Sequence, residues 1–392
     1  MTTERLYTPQ FFLACAFCFS AFLAAFQLYP TAPFRIIALG GSEAVAGMFL
    51  GMLTYASAVA ALFTGAVADH VGKRRMMIVC SLATAAFSLS YAFISNVWIM
   101  LAVAGVHGIF WSGMLSSVSA YLGDIIPAHR RAEGMGYYGV STVLALALAP
   151  AVGLWTYRFG WRPVCLSAAT IDLAMAGIGY ALPSTDTPRA GRVSLRGTIE
   201  WRVFALSGTL FLYYFGYGGV TSFVALYATA NHVSPPGIYF TMFASSAIAT
   251  TLFAGPLGDR FGHTRLFVPA LGLIAIAYGI LAFGGQRTLL IASGLIFGLA
   301  FRAGYQLYTA HVLHLVEPDR RGAAFGGIIS ALDTGVGTGS IAMGWIIDHY
   351  GFGQAFGTAA ILAAAAIPYF LIANRRFMSR GPAGPLRGTE RD

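Results

Sequence analysis

An eleven-residue stretch, GAVADHVGKRR from Gly65 to Arg75, returns 190 positions later as GPLGDRFGHTR from Gly255 to Arg265. Gly65, Asp69 and Gly72 thereby fall on Gly255, Asp259 and Gly262. Each copy sits between two long apolar runs and gathers an acid and several bases into a few residues. Glycine lets a backbone turn sharply, and clustered bases stay on the cytoplasmic side of a bilayer. The stretch therefore reads as a tight cytoplasmic turn between two membrane helices. A chain of 392 residues that repeats such a turn at about half its length is a duplicated structure.

The apolar runs set the medium. Hydrophobic residues make up 57% of the chain, charged residues only 10%, and the mean hydropathy is +0.70, which excludes an ordinary water-soluble fold. A span needs about 20 apolar residues, so the length leaves room for about twelve. The first run begins near Phe11 and shows no A-x-A cleavage site, so it is expected to be a retained span and not a signal peptide. The net charge of +9 does not point to nucleic acid, because 19 of the 24 bases lie in loops assigned to the cytoplasm. Four bases lie in external loops, and one, Arg302, lies within a span. Cys15, Cys18, Cys80 and Cys165 fall inside apolar runs with no metal-site spacing and read as small packing residues.

Runs at about 10–30, then from beyond the external ALGGSEA segment to the repeated turn, and at about 76–95, 97–122, 135–157 and 163–182 make a first set of six. Six more follow at about 203–227, 237–257, 266–284, 288–314, 324–347 and 355–374. Between the sets, residues 183–202 carry four arginines and turn formers, as expected of a cytoplasmic linker. The division is thus an N-terminal half, 1–182, a linker, 183–202, a C-terminal half, 203–374, and a cytoplasmic tail, 375–392. The repeat offset also places Arg130 on Arg320, Gly136 on Gly326, Gly108 on Gly298 and Gln27 on Tyr217. The expected fold is an all-α polytopic membrane protein of twelve transmembrane helices in two pseudo-symmetric six-helix halves, both termini cytoplasmic.

The spacing G-x-x-x-D-x-x-G-[KR]-[KR] resembles the signature loop between helices two and three of the major facilitator superfamily. The resemblance implies a conformational latch made of Gly65, Asp69, Gly72, Lys73 and Arg74 with Asp124 and Arg130, repeated around Asp259, Gly262 and Arg320. Gly136, Ala145, Ala149, Pro150 and Gly153 stand at the spacing of the antiporter signature of drug:proton exporters, with alanine for glycine at 145 and 149 and Leu154 where a last glycine is usual. Small residues there keep close helix packing and a proline bend available. The twelve-span drug:proton antiporters and sugar-efflux permeases are the group most resembled. That implies alternating access, a small-molecule substrate, protons and lipid as partners, no cofactor or metal, no enzymatic step, and a monomer in a bacterial-type inner membrane.

Ionisable groups inside a bilayer are costly and mark function or pairing. Arg302 lies midway along the tenth run, with Tyr305, Gln306 and Thr309 on its helical face. Asp333, at similar depth in the next run, is either its ion-pair partner or a proton-carrying carboxylate. Asp172 is a third buried acid. His107 and Trp111 in the fourth run, Gln27 in the first, and Tyr213 and Tyr217 in the seventh are candidate solute contacts, with His107 also a candidate proton acceptor. No acid stands in the interior of the first or fourth run. An arginine and a histidine without that acid favour a neutral or anionic amphiphile, moved by proton-coupled efflux. The alternatives are an importer or facilitator of a small organic anion and, from another class, a membrane enzyme or a non-transporting receptor. Against the last stands the absence of a serine, histidine and acid set or an H-x-x-x-H pair at workable spacing, and no G-x-x-x-x-G-K-[ST] loop suggests ATP use.

Overall fold

The computed structural model describes residues 6–185, 201–316 and 321–379. Its N-terminal half contains α1 (Pro9–Leu28), the short α2 (Ala32–Ala38), α3 (Glu43–Val71), α4 (Lys73–Tyr91), α5 (Val97–Ile125), α6 (Arg131–Tyr157) and α7 (Trp161–Ala181). The C-terminal half contains α8 (Trp201–Ala230), α9 (Ile238–Phe261), α10 (His263–Phe283), α11 (Arg287–Leu315), α12 (Arg321–Tyr350) and α13 (Phe352–Ser379). Twelve of these helices run 19 to 30 residues, and they match the twelve apolar runs to within a few residues, α13 running five past its run. Most of the linker lies outside the described residues.

The starts follow the sequence. Thr8 and Asn96 cap α1 and α5 through bonds to Phe11 N at 3.2 Å and Trp98 N at 2.9 Å. At the repeated turn, Gly72 and Gly262 end one helix and begin the next with φ of +99° and +93°, a region that side-chain-bearing residues rarely enter.

Among the described residues, nine segments are long and apolar enough to cross a membrane by length and composition; α4, α9 and α12 fall outside that set. The reason is visible in α12, whose small residues are contact surface and not lipid surface. A Cβ at Gly335 or Gly339 would press on the backbone of Phe211 or Phe215 in α8, and one at Gly344 on Glu43 O of α3.

The duplication is legible in the packing. A Cβ at Gly108 of α5 would collide with the carbonyl oxygen of Leu53 in α3. One at Gly298 of α11 would collide with that of Phe243 in α9, and both members of the second pair lie 190 positions after the first.

Across the halves, α3 packs on α12 and α6 on α9. The α3–α12 seam is tight at the end away from the basic turn. There the Asp348 carboxylate accepts from Glu43 N at 2.8 Å and Ala44 N at 2.9 Å, so an acid at the end of α12 caps the start of α3. Farther along, Ser340 Oγ donates to Gly47 O at 2.9 Å, and the Tyr55 and Thr338 hydroxyls meet at 2.6 Å. Ser57 Oγ donates to Asp333 at 3.0 Å. Continuing the same register puts Gly65 opposite Gly326, and a Cβ on either would meet nothing within 4 Å among the described residues. The seam is therefore closed at one end and parted at the basic end.

Candidate functional site

Arg302 stands midway along α11, half-buried, where its guanidinium spans the two halves. Nε faces Thr251 Oγ1 of α9 at 3.4 Å, and a terminal nitrogen donates to Gly139 O of α6 at 3.5 Å. Both bonds are long, and among the described residues no carboxylate lies within ion-pair distance. Asp333 is held from the other side of the seam by Ser57. The ion pair offered as one reading of Arg302 and Asp333 is absent, for a packing reason: α12 is committed by its glycines to α8 and α3, and α11 packs on α9 and α10. Tyr305 is within electrostatic reach of both charges. One and two turns on from Arg302, Gln306 Oε1 and Thr309 Oγ1 are buried with no hydrogen-bond partner among the described residues. That leaves two unmet polar atoms beside an unneutralised cation.

Tyr217 is half-buried and stacks on Phe301 at 4.5 Å between centroids. With Phe26, Leu146 and Pro150 from the N-terminal half and Phe243 and Phe297 from its own, it lines a cavity of about 10 Å³, roughly the room for one water molecule. The aromatic end is thus nearly shut.

Four expected solute contacts face elsewhere. Gln27 is fully buried, donating to Leu23 O at 2.9 Å and accepting from Ser167 of α7 at 2.9 Å, so its amide is consumed by its own half. Tyr213 is also fully buried, packed on Tyr214 and Phe301 inside the C-terminal half. His107 Nδ1 meets Tyr91 OH at 3.2 Å, and Trp111 sits edge-on to Phe22 at 5.3 Å. Both line a closed pocket made entirely of N-terminal-half residues, with Thr84, Ser88 and Asp172.

In the first basic turn Lys73 is paired with Asp124 at the end of α5, and Thr185 Oγ1 donates to the same carboxylate at 3.0 Å. Arg74 donates to Tyr180 O at 2.5 Å and Gly179 O at 3.4 Å, tying in the end of α7. Asp69 is exposed with no partner among the described residues, so in this conformation it does not clasp a neighbouring helix. Asp259 lies 3.5 Å from His263, one turn away. Arg130 binds Glu133 through two bonds of 2.8 Å, and Tyr7 OH adds a third at 2.6 Å. Arg320 lies outside the described residues.

Of the small-residue set, Ala145 and Ala149 are fully buried, Gly153 fits against the Gln27 backbone, and Pro150 lies inside α6. Gly136 is the exception: it is exposed and a Cβ there would touch nothing, so it is not a packing position here. Sequence reasoning missed Ser57, Thr251 and Asp348. The first two resemble every other hydroxyl in an apolar run, whereas an acid in the last turn of a helix, against the dipole, was a readable signal for Asp348.

The Major Facilitator Superfamily model matches residues 12–234 and again residues 206–388. A gentisate transporter of Corynebacterium glutamicum is 24% identical over 354 residues, covering 84% of this chain and 80% of that protein. A staphylopine export protein of Staphylococcus aureus is 23% identical, covering 82% and 85%. Among solved structures, a bacterial homologue of the human lysosomal transporter Spinster, in an inward-facing and occupied conformation, superposes with a TM-score of 0.72 at 17% identity, covering 94% and 96%.

Proposed function

Because the chain belongs to the major facilitator superfamily and is an integral membrane transporter, we propose that it exports a small anionic or neutral amphiphile in exchange for protons, by alternating access between two six-helix halves. The observation that carries this reading is Arg302, a mid-helix cation with two long bonds and no carboxylate beside it. Such a charge is stabilised best by a ligand's anionic group, which a guanidinium can grip through two parallel hydrogen bonds. Tyr305 and Gln306 would take the solute's polar atoms, and Tyr217 its apolar part. Asp333, joined to the opposite half by one hydroxyl, is the proposed proton carrier. Its protonation would remove the charge that Ser57 binds, weakening that bond and loosening the seam.

In this reading the basic end is cytoplasmic, both termini and the 183–202 linker lie there, and the parted seam opens the site to the cell interior. The bacterial relatives favour the inner membrane, and the chain acts as a monomer. One relative is named for export of staphylopine and another for carrying gentisate, so import of a small organic anion through the same arginine is the second reading. Transport of a panel of aromatic and aliphatic carboxylates in inside-out and right-side-out vesicles, with and without a pH gradient, separates the two. Uptake into inside-out vesicles driven by an acidic lumen supports export. Uptake confined to right-side-out vesicles supports import, and transport untouched by Arg302→Ala sinks both.

A further inference from the structure

We propose that Asp172 is a second proton-binding site, built inside the N-terminal half and separate from the region of Arg302 and Asp333. Asp172 on α7 is 4% exposed. Ser88 Oγ of α4 donates to one of its carboxylate oxygens at 2.9 Å, and Thr84 lies one turn away in the same pocket. Among the described residues no lysine or arginine comes within ion-pair distance. The titratable groups around it are Tyr91 on α4, His107 on α5 and Tyr29 beyond the end of α1; α6 contributes none to the pocket. None of them is a fixed positive charge.

A bare carboxylate in such surroundings is costly, and a bound proton removes the charge without needing space. Space is what the pocket lacks, since it leaves no room for a water molecule. A metal cation would require more oxygen ligands than the one carboxylate and two hydroxyls of this pocket. The pocket is placed to report on the cavity because α1 is its wall. Ala21 and Ala25 face Asp172, while Phe26, one residue on, lines the aromatic cavity between the halves. A shift of α1 that admits water would let the Asp172 proton leave to that water, producing a carboxylate. Its return from water would reseat α1. No other reactant is needed, and the site holds whichever solute Arg302 serves.

The test is infrared difference spectroscopy of the full-length protein in lipid vesicles, stepped from acid to alkaline pH in potassium chloride. The wild type is expected to lose the carbonyl band of a buried carboxylic acid that persists in Asp333→Asn and vanishes in Asp172→Asn. Ser88→Ala is expected to displace the band without removing it. Should Asp172→Asn not fold, Asp172→Glu and Ser88→Ala carry the test through the band's position. Identical spectra for the wild type and the Asp172 variants would overturn the proposal. Loss of the band on replacing potassium by sodium at fixed pH would overturn it in favour of a metal-cation site.

Discussion

The two copies of the basic turn share a backbone and differ in what they hold. Both pivot on a glycine of positive φ, Gly72 and Gly262. The first copy is a junction of three helix ends: Lys73 reaches α5 through Asp124, and Arg74 reaches α7 through two carbonyls. In the second, Asp259 lies beside His263 on its own turn, and Thr264 meets His311 of α11 at 3.4 Å. The repeat offset explains the difference, because His263 replaces Lys73, Thr264 replaces Arg74 and His314 replaces Asp124. A duplicated turn can keep its geometry, which glycine encodes, and exchange charged ties for uncharged ones, because its contacts depend on residues from three separate segments.

Breaking the charged tie tests the comparison most strongly. Asp124→Asn removes the carboxylate paired with Lys73 and should slow transport in reconstituted vesicles by about fivefold, the effect of about 1 kcal/mol on the balance of two states. Adding the exchange Lys73→Asp with Asp124→Lys should recover part of the rate. An unchanged rate in Asp124→Asn would mean that the junction is decorative. Asp69→Asn comes next. Because Asp69 touches no described neighbour in this conformation, the substitution should leave thermal stability unaltered and slow transport by only about twofold, through the alternate state. A drop in melting temperature would show a contact that this conformation does not contain. Smallest is His263→Lys, worth under about 0.5 kcal/mol because no acid waits at position 314. Combined with His314→Asp it should build the missing pair, raising the melting temperature slightly and making the two turns alike. If the double variant behaves like His263→Lys alone, position is as decisive as charge.

Much of this architecture is written in the chain, but unevenly. Apolar runs separated by glycine, proline and charge mark helices plainly, so the order and ends of twelve long helices follow from them. Which face of a helix meets which neighbour does not. In water a polar stripe announces the exposed side, whereas here lipid and protein are equally apolar and the stripe disappears. Gln27 and Arg302 therefore look alike in sequence, each a polar side chain in an apolar run. Only the presence of Ser167 beside one and the lack of a carboxylate beside the other tell them apart. The missing pair of Arg302 and Asp333 has the same origin, since depth in a membrane can be counted in residues but rotation about a helix axis cannot.

The Asp348 cap has a genetic consequence. Its acceptors belong to one side chain, but its donors are the backbone amides of Glu43 and Ala44. Nearly any replacement at 44 keeps its N–H in place, so variation there passes unnoticed while position 348 carries both bonds. The exception is proline, which fits the first turn of a helix and yet carries no amide hydrogen. Ala44→Pro would cut one strand of the tie and leave the helix intact, a lesion that ordinary alanine scanning of α3 would never find.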